Sequence, residues 1–151
     1  KPPRAALFID LGHRSTRMMA VEQGVIQASW QIAAGGHDLD LVIADELGVS
    51  SPRANLCKST NFHGVLFSPA FACACERIAI ELLKILACYR SAHPSGNPAG
   101  VYLVGGGAAV PPLRQSIANI LGLKLLPPAS LLPGAGDQAA AGVFAAGGVM
   151  G

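Results

Sequence analysis

Three strand-like runs stand one after another at the start of the chain, AALFIDL (5–11), RMMAVE (17–22) and VIQASWQI (25–32), before any helical period begins. Short apolar runs bounded by Gly, Ser and Thr at 12–16 and by Gln23-Gly24 read as strands joined by tight turns. Connections this short allow only antiparallel pairing, because a parallel pair needs a crossover of roughly a dozen residues or more. The chain therefore opens as a three-strand meander.

After Ala33-Ala34-Gly35-Gly36 the apolar spacing changes from two to three or four. In HDLDLVIADELGV (37–49), Leu39, Val42, Ile43 and Leu47 share one helical face, and Gly48 is placed to end the element. Asp38, Asp40, Asp45 and Glu46 fall elsewhere on that helix and read as a solvated face. SSPRANLCKS follows as a short helix, with Ser51 as cap and Pro52 at the first helical position. Residues 59–69 read as irregular. The longest helix is expected over 70–92, where Phe71, Ala74, Ile78, Leu82, Ile85 and Tyr89 recur at helical spacing. GVYLVGG (100–106) reads as a buried strand, PPLRQSIANILG as a helix entered through Pro111 or Pro112, and LKLLP as a short strand. A helix of small residues follows, capped by Asp137. The expected fold class is α/β: a mixed five-stranded sheet with a three-strand meander and helices on both faces.

At 151 residues the chain is one domain's worth, and it is 51% hydrophobic and 13% charged. A chain so apolar either packs very tightly or covers part of its surface with a partner. No run reaches the ~18 apolar residues of a membrane-spanning helix, and no secretory signal is visible. The absence of an initiator Met suggests a fragment. The net charge of +2 is spread thinly, without a basic stripe, which speaks against nucleic acid. Cys57, Cys73, Cys75 and Cys88 read as small core residues of a reducing compartment. Cys73 and Cys75, two apart on a helix, point in opposite directions. His13, His37, His63 and His93 are scattered through turns with no helical ligand spacing among them, so no zinc is expected.

Three segments carry chemistry. In IDLGHRSTRMM a carboxylate ends a strand, a glycine opens the loop, and hydroxyls follow, as a phosphate or phosphate–Mg²⁺ site requires; an ordinary hairpin turn is the alternative. In VYLVGGGAAVPPLRQSI a strand runs into Gly105, Gly106 and Gly107 and then a helix start, which suits close approach of a flat or anionic ligand, or simply a tight strand-to-helix turn. GDQAAAGVFAAGG is a helix that something must approach closely.

In this order, the three segments resemble the second phosphate motif, the adenosine motif and the second connecting helix of the actin-like ATPase superfamily, whose fold is ribonuclease H-like. Within it the nearest resemblance is to the PilM family of type IV pilus assembly, related to FtsA and GspL. It rests on the paired glycines before a helix, on Ala54-Asn55-Leu56-Cys57-Lys58 in place of an Ala-Glu-x-x-Lys element, and on a long helix closing on Tyr89-Arg90 ahead of the adenosine strand. The resemblance implies the C-terminal lobe of a two-lobed protein, with its N-terminal lobe absent here, and ATP or ADP with Mg²⁺ as cofactor. Asp10 would hold the metal through water. Gly12, His13, Arg14, Ser15 and Thr16 would surround phosphate, Gly105 to Gly107 would lie under adenosine, and Lys58 would border the base or ribose. No catalytic residue is implied within this chain. His13 and Arg14 stand where hydrolysing relatives carry small residues, Asn55 replaces a Glu, and Val104 stands where Ser or Thr is common, so hydrolysis is expected to be weak or absent. The implied role is that of a cytoplasmic scaffold at a bacterial inner membrane, with a small membrane partner of the PilN type. A nucleotide-free GspL-like scaffold, an active ATPase or sugar-kinase-like phosphotransferase, and an FtsA-like division protein remain open. Self-association of the isolated lobe is expected.

Overall fold

In the computed structural model, which describes residues 5–94 and 97–127, Gln23 and Gly24 both take left-handed backbone angles, φ 53° and 76°. Two such residues make the turn whose twist matches that of the strands it joins. It folds strand β2 (Thr16–Glu22) back as β3 (Val25–Ile32). Strand β1 (Ala6–Leu11) pairs antiparallel with β2, placing Asp10 opposite Arg17. On its other side β1 pairs parallel with β4 (Val101–Val104), placing Asp10 beside Val104. The sheet order is β3-β2-β1-β4, so the meander is as expected. The expected fifth strand is reduced to one parallel bridge between Val101 and Leu125. The proline that follows at 127 cannot donate to a ladder, which limits its growth.

Four helices follow from the periods of the sequence: α1 (Gly36–Leu47), α2 (Ser51–Thr60), α3 (Pro69–Ala92) and α4 (Pro111–Leu121). Leu7, Ile9, Leu11, Met18 and Ala20 point to one side of the sheet and are almost wholly buried. All four helices place residues in the same cluster, among them Leu39, Ala54, Phe71, Leu82 and Leu113. Each such large side chain removed from water contributes about 1.5–3 kcal/mol, which makes this side the core. On the opposite side Phe8 stacks on Tyr102, ring centroids 4.9 Å apart. The helix expected from Asp137 onward lies outside the described residues.

Some sequence expectations shift in detail. Helix α3 buries Leu86 and leaves Ile85 half-exposed, and it begins at Pro69, directly after the cap Ser68, whose Oγ accepts from the Phe71 N–H at 3.1 Å. Helix α2 is capped at Ser50, not Ser51. Residues Phe62–Phe67 form 3₁₀ turns with His63 and Gly64 in left-handed angles. Cys75 is buried, but Cys73 and Cys88 are exposed and Cys57 is intermediate, so only one of the four is a core residue.

Candidate functional site

Beyond β1, the Gly12 N–H donates to the carbonyls of Asp10 and Ser15 at 3.2 and 3.1 Å, closing a tight loop. That amide is therefore occupied, whereas the amides of His13 and Arg14 donate to no backbone carbonyl among the described residues. Thr16 does not face the loop's concavity. It is 1% exposed, and its hydroxyl donates to the Ala34 carbonyl at 2.8 Å, fixing the start of β2 to the turn before α1. Helix α1 docks on the same loop, with the Gly36 and His37 amides donating to the carbonyls of Gly12 and His13 at 2.9 and 2.7 Å.

Strand β4 ends at Gly105, where φ is 85° and ψ 175°, a conformation open essentially to glycine alone. A Cβ there would sit 2.5 Å from Asp10 Oδ1, so the glycine loop and the acidic strand end lie in contact. At Gly107 a Cβ would meet that of Leu11 at 2.6 Å. Helix α4 begins with Pro111 and Pro112, which have no N–H to offer, so its start presents apolar rings and not an anion site.

Two clefts meet here. The smaller, of about 420 Å³, is polar and lined by Asp10, Gly12, His13, Ser15, Arg17, Gly105 and Gly106. The larger, of about 1130 Å³, is walled largely by apolar groups, among them Leu39, Phe67, Val110 and the two prolines, with Lys58, Asn55 and Gln115 as polar points. Gly12, His13 and Gly106 line both. The structure thus brings together Asp10, Gly12, His13, Ser15, Lys58 and Gly105–Gly107 of the residues singled out in the sequence. Arg14 and Thr16 line neither cleft. Arg17 was not anticipated; its position opposite Asp10 in the β1–β2 register is the signal that points to it.

Asp40 departs from expectation. It is 1% exposed, not solvated, because the Lys58 ammonium reaches across from α2 to within 2.7 Å of Oδ1. At this distance the ammonium is the counter-charge of the buried carboxylate. Nζ donates to the Gly36 carbonyl at 3.2 Å, and Asn55 Nδ2 to Asp40 Oδ2 at 3.2 Å. Although no two histidines share a ligand spacing within one element, docking of α1 on the loop brings a ring nitrogen of His13, one of His37 and a carboxylate oxygen of Asp40 within 4.8 Å of one another.

No family model and no curated protein matches the chain. Solved structures do. One chain of a PilM–PilN type IV pilus biogenesis complex superposes with a TM-score of 0.73 at 21% identity, over 95% of this chain and 43% of that one. The fold is that of an actin-like ATPase. The ethanolamine utilization protein EutJ from Carboxydothermus hydrogenoformans gives 0.67 at 21% identity, over 81% and 43% of the two chains. MreB 5 of Spiroplasma citri, solved with AMPPNP, gives 0.55 at 20%, over 82% and 48%. The chain spans less than half the length of these three neighbours.

Proposed function

We propose that this chain is the nucleotide-binding C-terminal lobe of an actin-like scaffold protein of type IV pilus machinery, working at the cytoplasmic side of the inner membrane beside a small partner of the PilN type. The observation that carries the nucleotide reading is the pair of joined clefts. A nucleoside triphosphate is itself half apolar ring and half polyanion, and an apolar cleft opening into a polar one at the glycines matches that division. The residues present fit the group. The glycine turn packs so closely on β1 that side chains at Gly105 and Gly107 would meet Asp10 and Leu11, whereas Gly106 stands open and lines both clefts. Asp10 would hold Mg²⁺ through water, and the His13 amide with Arg17 would meet phosphate oxygens. When bound, Mg²⁺ would neutralise phosphate charge. Binding is proposed, and not efficient turnover, because Asp10 is the one carboxylate that lines the polar cleft among the described residues, and the bulky His13 lines it too. The pilus assignment is supported by the PilM–PilN superposition.

Calorimetric titration of the full-length protein with Mg·ATP, beside Asp10→Ala and a phosphate-release assay, tests this. Binding that is lost in the variant, with little phosphate released, is expected. Absence of binding, or rapid release, would overturn the reading as a nucleotide-binding scaffold.

A further inference from the structure

The docking of α1 on the phosphate-side loop has a chemical consequence independent of nucleotide. The hydrogen bond from the His37 amide to the His13 carbonyl, 2.7 Å long, sets residues 13 and 37 side by side. Their imidazoles meet edge to face with centroids 5.3 Å apart. Asp40 follows His37 by three residues and so lies on the same face of α1. Among the described residues neither imidazole makes a side-chain hydrogen bond, and one ligand atom of each imidazole and of the Asp40 carboxylate lie within 4.8 Å of one another.

We propose that His13, His37 and Asp40 bind one divalent transition-metal ion. Two imidazoles and a carboxylate select zinc, cobalt, nickel or ferrous ions over Mg²⁺ and Ca²⁺, which take oxygen ligands. Bonds of ~2.1 Å to a tetrahedral ion place ligand atoms ~3.4 Å apart. The present separations, none above 4.8 Å, close to that by side-chain rotation, and His13 is exposed and free to turn. Lys58 holds Oδ1, while the contact at Oδ2 comes from Asn55, an exposed residue whose amide can yield to the ion. The bound ion would join the loop after β1 to α1 and, through Asp40 and Lys58, to α2.

The test uses the untagged chain in chelator-treated buffer, titrated with Co²⁺ and Zn²⁺ and followed by visible absorption, equilibrium dialysis and thermal unfolding. One ion per chain is expected, with cobalt bands lacking thiolate charge transfer and a rise in Tm on binding. His13→Gln and His37→Gln should each weaken binding at least tenfold, and His63→Gln should leave it unchanged. His13 is exposed, so its replacement leaves the fold intact and provides a fair reading even if His37→Gln unfolds. No binding, binding that survives His13→Gln, or a thiolate band placing the ion on cysteine would each overturn the site.

Discussion

A carboxylate as buried as Asp40 needs a counter-charge, and the Lys58 ammonium supplies it from 2.7 Å. Removing one member of such a pair leaves the other charged and dry. Lys58→Met should therefore destabilise the fold by about 3–5 kcal/mol in denaturant unfolding, and adding Asp40→Leu should restore most of that loss. The sequence placed Lys58 beside a nucleotide and Asp40 in solvent. Neither the pairing nor the burial was legible, because they arise from two helices whose relative placement no local pattern encodes. Cys75 gives a second residue-scale test. Burial, aided by Glu76 and opposed by Lys58, pushes its thiol from an ordinary 9.0 to about 12. Above pH 9 the unfolded thiol ionises while the folded one stays neutral, so stability falls between pH 9 and 12. Cys75→Ala should flatten that fall, measured as unfolding midpoints across the range. At neutral pH, Cys73 and Cys88 should react readily with a thiol reagent and Cys75 should not.

Local grammar was most readable within single elements. The strand alternation, the Gln23-Gly24 turn and the Gly48 stop all appear where periodicity and turn chemistry put them. Where two signals of equal strength compete, reading falters by a residue. Ser50 and Ser51 both precede Pro52, and the structure uses the first. Ser68-Pro69 carries the same signature and makes the stronger cap, with a side-chain hydrogen bond that Ser50 lacks. Ser68→Ala should cost about 1 kcal/mol, and Ser50→Ala clearly less. The turn after β4 makes a sharper demand. Gly105→Ala meets both a glycine-only backbone angle and the Asp10 carboxylate, so a loss of about 1–3 kcal/mol in thermal or chemical unfolding is expected.

Across the whole molecule, the meander, one parallel strand and the glycine turn bring residues 10–17 and 105–107 to one end of the sheet, although about ninety residues separate them in sequence. The motifs were visible as separate segments; their convergence follows from the parallel pairing of β1 and β4. Helix docking then created what the spacing of histidines hid, the approach of His13 to His37. The apolar residues Phe67, Leu56 and Phe62 remain 80%, 62% and 50% exposed. Sedimentation velocity should accordingly show concentration-dependent association, and a clean monomer at high concentration would count against it. Nucleotide in the joined clefts is tested most directly by an amide NMR titration of the full-length protein with Mg·ATP. Shifts gathered on Gly12, His13 and Gly105–Gly107, reduced by Asp10→Ala, are expected. Shifts elsewhere only, or none at saturating nucleotide, would contradict it.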